Sequence, residues 1–525
     1  MGTLKQDLLS LGAGNAGEAV GEIELRETHI SLVFLTADRA YKLKKPVQLG
    51  FLDFRTLEQR KHFCEAEVQL NRRLAQRVYR GVVPVTRDAA GVHHLAADAG
   101  EVVDYAVEME RLADADAADK RLQRGALEAA ELTRIAEHLA RFHAAARCDA
   151  ETERYGQRAA IEVNVRENFE QTRQSARAYL SDSELLHIER WQTQFLQQEE
   201  ARFDARIAAG RVRDGHGDLR LEHCYLGADG SVQIIDCIEF NDRFRYGDVC
   251  ADVAFLAMDL AWNERPDLSE AFLASYARAA DDYELYSVVD FYESYRAYVR
   301  GKVSSLLAED VGAAPAVRER ARDEARKYYL LAEACTKLPV EAPRLYAVGG
   351  LIASGKSSIA GRLASMLRAP HIEADRTRKR LAGLDPLTPW RDAAFSGNYT
   401  PEKTQAVYAE LRRRAEVVLR SGRSVVIDAS FRERAQREAL RELAERLGCG
   451  LTFIECFAPA ELCRERLRKR ATRPSVSDGR SEIFDAFVRS FEPVTELSVA
   501  QHVRLDTSPE KAQVDARLRE LIATG

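Results

Sequence analysis

Gly350-Leu351-Ile352-Ala353-Ser354-Gly355-Lys356-Ser357 follows the apolar run Leu345 to Val348 and precedes a segment in which Ile359, Leu363 and Leu367 recur every four residues. The run predicts a buried strand, and the recurrence predicts a helix with one apolar face. Between them lies a glycine-rich turn. In such a turn the backbone N–H groups and the helix N-terminus face a phosphate, a lysine reaches the terminal phosphates and a hydroxyl ligates Mg²⁺. Nucleotide contacts are therefore expected from Gly350, Ser354, Gly355, Lys356, Ser357 and Ser358, with Ser357 also a metal ligand.

The rest of the composition sets bounds on this nucleotide binder. A chain of 525 residues exceeds what one core organises, so roughly two to four domains are expected. Lys and Arg number 77 against 83 Asp and Glu, a net charge of -6, which gives no general basic field for nucleic acid. Nine cysteines occur without a Cys-x-x-Cys pair, so neither a zinc site nor a disulfide framework is expected, and the thiols suit a reducing cytoplasm. No apolar stretch is long enough for a signal peptide or a membrane span, and Gln6 breaks the myristoylation pattern.

Pattern divides the chain. The segment Thr336 to Arg344 carries two prolines and is the expected linker, which gives domains at 1–335 and 344–525 with a linker at 336–343. Residues 21–110 read as strands, with Ile30 to Leu35 and Ala40 to Leu43 forming a hairpin. Residues 126–335 read mostly as helix, with Ile135, Leu139 and Phe142 on one face, interrupted by a hairpin-like stretch from Arg211 to Phe240. After the linker, strands and helices alternate. One helix is capped by Thr400 with Pro401 at its first position and closed by Gly422, and Val425 to Ile427 and Leu451 to Phe457 are strands. Alternation predicts a parallel sheet with ligands at the C-terminal strand ends.

His216-Gly217-Asp218-Leu219, then His223, then Ile234-Ile235-Asp236 place two carboxylates on either side of the expected hairpin, on what read as its strands. Phosphoryl transfer to a hydroxyl needs a carboxylate near the acceptor and further ligands holding Mg²⁺ against the phosphates. With the helix Ile135 to His143, this stretch resembles the aminoglycoside phosphotransferase family of kinase-like enzymes over residues 20–335. The resemblance implies Asp218 as catalytic base and Asp236 as principal metal ligand. His223 stands where the family usually has asparagine as second metal ligand. Lys42 would pair with the nucleotide phosphates, with Lys44 on the same strand face as fallback. Glu67, which shares a helical face with Leu70 and Leu74, would be the lysine's partner, and Val107 to Arg111 resembles the hinge that meets adenine. Asp248 and Asp252 are expected to brace the helical lobe, and His143 and His216 to be core histidines.

Beyond the phosphate loop, Asp375 and Arg378 resemble the Asp-x-x-Arg acceptor motif of small P-loop kinases, including polynucleotide kinase and zeta-toxin relatives, over residues 344–510. A carboxylate beside the transferred phosphate can take the acceptor proton while the arginine orients the acceptor. Asp428 ends the strand Val425 to Ile427, where a carboxylate contacts Mg²⁺. Arg464, Arg466, Arg470 and Arg473 crowd a helix and the lid-like loop Ala471 to Gly479, with Arg466 (nucleotide binding) and Arg470 (catalytic) on one helical face. Trp390, Phe395 and Tyr399 give only weak support to a nucleic-acid groove.

The fold expected is a bilobal α+β kinase-like N-terminal domain plus an α/β P-loop NTPase C-terminal domain with a parallel sheet. The function expected is an ATP-dependent phosphotransferase with Mg²⁺ as metal, acting in the cytoplasm on small hydroxylated molecules, without nucleic acid or membrane partners. The alternative is an ATP-sensing regulator in which one kinase-like domain binds nucleotide without turnover.

Overall fold

A computed structural model describes residues 2–10, 23–50, 52–95, 100–337, 339, 341–388, 396–470 and 476–524. Trp390, Phe395, Ala471 and Arg473, together with linker residues Leu338 and Val340, lie outside the described residues. The chain forms two compact units. One comprises Met1–Glu264 and Tyr295–Leu330, the other Arg265–Ser294 and Leu331–Gly525.

In the first unit β1 (Glu24–Glu27), β2 (Ser31–Leu35), β3 (Arg39–Lys44), β4 (Tyr79–Arg87), β5 (His93–Leu95) and β6 (Glu101–Glu110) form an antiparallel sheet in the order β1-β2-β3-β6-β4-β5. Helix α1 (Leu57–Asn71) starts at a capping box between Thr56 and Gln59 and packs against the sheet. Period-two alternation sorts β2: Leu32 and Phe34 face Leu4, Leu8 and Val85, whereas Val33 and Leu35 face Cys64 and Val68 of α1. By the same parity Ala40, Lys42 and Lys44 share the α1 side of β3.

The helical lobe follows. Ile135, Leu139 and Phe142 are buried along α2 (Ala129–Ala145). Three short strands, β7 (Val212–Asp214), β8 (Cys224–Leu226) and β9 (Val232–Ile234), lead to β10 (Tyr246–Asp248) and α3 (Val249–Trp262). Strands β8 and β9 pair with each other, and β7 pairs with β10. The hairpin is therefore β8–β9, and neither Asp218 nor Asp236 lies on a strand as the sequence reading had it. Gly217, at φ +88°, turns the chain out of β7 so that its amide and that of His216 both donate to the Asp252 carboxylate, at 2.8 and 2.7 Å. Asp248 caps α3 and takes two 2.6 Å bonds from buried Arg206. Asp248, Asp252, His143 and His216 are all buried bracing groups.

In the second unit β11 (Arg344–Gly350), β12 (His371–Glu373), β13 (Val425–Asp428), β14 (Gly450–Phe457) and β15 (His502–Asp506) form an all-parallel sheet in the order β12-β13-β11-β14-β15. Helix α4 (Pro266–Ala280) lies in this unit too, as do α5 (Lys356–Leu367), α6 (Ala374–Leu381), α7 (Pro401–Arg420) and α8 (Ala460–Arg470). Ile359 and Leu363 of α5 are buried with Val348, Val426, Ile454 and Leu518, contributing roughly 2 kcal/mol each. No helix among the described residues is long and apolar enough to cross a membrane, and the nine cysteines are all unpaired.

His216 yields a pH prediction. Its Nε2–H donates to the Ile235 carbonyl at 2.9 Å and its Nδ1 accepts from the Asp218 amide at 3.3 Å, so both ring nitrogens are used by the neutral form. Burial pulls this histidine down to about 4, against the pull of Asp252. In the unfolded chain it titrates near its ordinary value of about 6.5, so between those values the unfolded chain binds more protons and stability rises with pH. Denaturation midpoints measured across this window will climb with pH in the wild type, and His216→Gln will flatten that part of the slope.

Candidate active sites

In the first unit the geometry starts from Glu67, on α1 and fully buried. Such a carboxylate needs cations. Lys42 lies 2.8 Å from it and Lys44 2.7 Å. Lys42 also reaches Asp236 at 2.6 Å, and Lys44 pairs with Glu239. Two lysines of one strand face thus tie α1 to the segment that follows β9. Burial works against the charge on Lys42, but Asp236, Glu67 and Glu239 outweigh it and hold its ammonium well above the usual range. Asp236 has φ +66°, a left-handed conformation uncommon outside glycine, and its amide donates to the Tyr79 hydroxyl at 3.2 Å.

Asp218 takes two bonds from Arg220, at 3.2 and 3.0 Å. Burial would raise its carboxyl, but Arg220, His223 and Arg300 hold it well below the usual range. The His223 Nδ1 lies 2.7 Å from the Asp218 carbonyl oxygen, which can only accept, so Nδ1 carries the proton. In the neutral ring Nε2 then presents its lone pair, 3.6 Å from Asp236 Oδ2 and 3.3 Å from Arg220 Nη2. Asp218, His223, Asp236, Lys42 and Glu67 are thereby brought together. The expected hinge differs. Val107 to Glu110 belong to β6, paired on both edges by β3 and β4, and the Arg111 amide donates to Asp38, so the backbone leaves the ladder only at Leu112. Glu239, Arg220 and Tyr79 escaped the sequence reading; three-residue spacing after Asp236 was the only local signal for Glu239.

The second unit builds its site at the C-terminal ends of β11, β12 and β13. The loop leaves β11 at Gly350 (φ +137°), passes Ala353 (φ +60°) and enters α5 from Gly355 (φ +93°). A side chain on Gly350 would put its Cβ 2.3 Å from the Cys456 carbonyl oxygen. Thr507, beyond β15, closes the loop from behind: its hydroxyl donates to the Ser354 carbonyl at 2.6 Å. Arg466 donates to the Ala353 carbonyl at 3.2 Å and to Thr507, so its guanidinium braces the loop backbone. Ser357 and Ser358 are exposed on the first turn of α5.

A cavity of about 220 Å³ opens beside this loop, lined among others by Lys356, Ser357, Asp375, Arg378, Asp428 and Arg470. Asp428 ends β13, next to Val348 in parallel register. Burial raises its carboxyl to about 6, opposed by Lys356 and Ser357 and assisted by Asp375 and Glu373. Arg378, on α6, is buried, donates to the Asn398 carbonyl at 2.7 Å and lies over the Tyr399 ring at 4.6 Å. Tyr399 therefore belongs to this wall and not to an open groove, and its hydroxyl donates to Asp478 at 3.1 Å. Arg464 points elsewhere and pairs with Asp485. Thr507, Tyr399 and Asp478 gave no motif signal as parts of this site.

The residues present fit a nucleotide and a metal. Ser354 Oγ and Asp428 Oδ1 are buried without hydrogen-bond partners, and the backbone at Gly350 has no room for a side chain. Among the described residues no group of three or more His, Cys, Asp or Glu side chains is arranged to hold a metal alone. Mg²⁺ needs no such cage, since one or two carboxylates share it with phosphate oxygens and water.

Residues 39–292 match the model of the phosphotransferase enzyme family, and residues 345–494 match that of an AAA domain. Uncharacterized proteins of Mycobacterium tuberculosis and Mycobacterium bovis are 35% identical over 449 residues, 86% of this chain and 86% of theirs. The chain belongs to their family, and in this chain a kinase-like phosphotransferase domain is joined to a P-loop domain. Among solved structures, a choline/ethanolamine kinase family protein from Mesorhizobium loti is 12% identical (TM-score 0.37) and covers 63% of this chain and 98% of its own. A putative kinase from Chloroflexus aurantiacus is 24% identical (TM-score 0.29) and covers 35% and 98%. Two kinase-related domains in one chain are consistent with phosphotransferase activity.

The crowding at Gly350 predicts a sharp contrast within one loop and helix. Gly350→Ala will cost roughly 2–4 kcal/mol and abolish nucleotide binding in the second unit. Gly361→Ala, inside α5 with nothing within 4 Å of the added Cβ, will stabilise by about 0.5–1 kcal/mol. Thermal melts of the two variants, with and without nucleotide, check both.

Proposed function

We propose that the protein is an ATP-dependent phosphotransferase with two nucleotide sites, each passing the γ-phosphoryl group to a hydroxyl of a small molecule. The observation that carries this reading is the meeting, in one cavity, of Lys356 and Ser357 with the carboxylates of Asp428 and Asp375 and the guanidinium of Arg378. Lys356 balances charge on the terminal phosphates, and the loop amides between Gly350 and Ser358 hold the others. Asp428 and Ser357 would hold Mg²⁺, which when bound would neutralise charge on the triphosphate. Asp375 accepts the proton of the acceptor hydroxyl, Arg378 orients that acceptor, and Arg470 covers the transferred group. Arg466 acts on the nucleotide through the loop it braces.

In the first unit Asp218 is the base. Arg220 and Arg300 keep it ionised, so it is ready to receive a proton only as the hydroxyl attacks. Glu67 fixes Lys42 toward the phosphates, and Asp236 and His223 are the residues that would hold the metal. An imidazole is a softer ligand than Mg²⁺ prefers, so Mn²⁺ is expected to serve this site at least as well. Nine unpaired thiols suit a cytoplasmic setting.

Transfer from labelled ATP to a panel of sugars, nucleosides and aminoglycosides, measured with the full chain, tests the reading. Asp218→Asn will lower first-unit transfer by about 10²–10⁴-fold, and Lys356→Ala will remove second-unit transfer while the chain still folds. The double variant will keep only the residual first-unit transfer of Asp218→Asn. Tight ATP binding by the wild type with no turnover of any acceptor under Mg²⁺ or Mn²⁺ would instead identify a nucleotide sensor.

A further inference from the structure

Arg278 sits on α4, in sequence within the phosphotransferase match and far outside the AAA match, yet it packs in the P-loop unit. Its Nε donates to Glu373 Oε2 at 2.8 Å, and Arg376 approaches the same oxygen at 3.3 Å. Glu373 ends β12 directly opposite Asp428 in the parallel register and lines the same cavity. Asp375 follows two residues later. Three carboxylates thus crowd the rim of a site meant for a triphosphate, and each one left loose would repel it.

The segment bearing Arg278 is firmly held. The Tyr283 hydroxyl, fully buried, donates to the His371 carbonyl of β12 at 2.7 Å. Asp281, left-handed at φ +50° where α4 ends, takes two bonds from Arg414 of α7, at 2.7 and 3.0 Å. Arg423 reaches both Glu270 and Asp290, at 2.9 and 2.8 Å. Arg278 therefore approaches Glu373 from a fixed base, with β12 itself as one of the fastened parts.

We propose that Arg278 is a positioning residue for the P-loop reaction: it pins and neutralises the Glu373 carboxylate at the rim, leaving Asp428 as the carboxylate that meets the metal. This rests on the nucleotide reading of that site. Arg376, in the first turn of α6 just after Glu373, moves with the strand end it would have to hold. Arg278 comes from a separate helix and can hold it.

The test uses the full chain and a labelled non-hydrolysable ATP analogue with Mg²⁺, taking as the P-loop component the binding lost in Lys356→Ala. Arg278→Met will weaken that component about tenfold, and Arg278→Lys will retain most of it. Adding Glu373→Gln to Arg278→Met will restore it to within about threefold, since an uncharged side chain needs no counter-ion. A purely structural arginine would leave the double variant as weak as the single one, and that result overturns the proposal. So does unimpaired binding in Arg278→Met, with Arg278→Gln read in its place if the methionine variant melts early. Absence of any Lys356-dependent binding in the wild type would overturn the nucleotide reading as well, which separates the two failures.

Discussion

Glu67 has no solvent exposure, and a carboxylate so placed is tolerated only with cations against it. Lys42 and Lys44, two residues apart on one face of β3, supply them, and each carries the link onward to Asp236 or Glu239. The result is an unbroken chain of charge, Asp236-Lys42-Glu67-Lys44-Glu239, spanning a strand, a helix and the segment after β9. Moving any one of these three would leave a buried charge without its partner. This chain of charges therefore ties the lysine side of the first site to the segment that carries Asp236, and the fold around it has to conform.

The second site meets the same constraint with the opposite outcome. Asp428 is also buried, and Lys356 and Ser357 oppose the effect of that burial, while Asp375 and Glu373 add like charge. Its carboxyl rises to about 6 where that of Asp218 falls far below the usual range. A divalent ion bridging to phosphate oxygens is the partner that such a strand end can accept without a cage of its own. One site thus holds its charges balanced within the protein, and the other leaves the balance to its ligand.

What the sequence revealed follows the range over which each interaction acts. The phosphate loop is local: strand, glycines, lysine and helix periodicity all lie within Arg344 to Leu367, and each element formed where the pattern put it. Strand parity put Lys42 and Lys44 on one face, and helix periodicity separated Glu67 from exposed Glu65. Residues that act from a distance carried no such mark. Thr507 reaches Ser354 across 153 positions, Glu239 reaches Lys44 across 195, and Tyr399 is part of the cavity wall because Arg378 lies over it. The hairpin was visible between Asp218 and Asp236, but the aspartates fall outside its strands because Gly217 and the Asp252 carboxylate turn the chain first.

Residues 265–294 show the same limit at the scale of a whole unit. Their acidic side chains meet arginines of the P-loop unit: Asp281 with Arg414, Glu284 with Arg413, and Glu270 and Asp290 with Arg423. Exposed pairs of this kind are worth about 0–1 kcal/mol each, so they do little to hold the segment by attraction alone. Arg414 and Arg423 are different, because their side chains are only 7% and 14% exposed and would leave shielded charges if the segment docked elsewhere. Apolar burial of Leu268, Phe272 and Tyr276 draws α4 in, and the turn Tyr283–Ser287 that follows it packs on α7. That packing delivers Tyr283 to β12 and Arg278 to Glu373, so the precision of a strand end in the P-loop sheet depends on a stretch of chain placed before the linker.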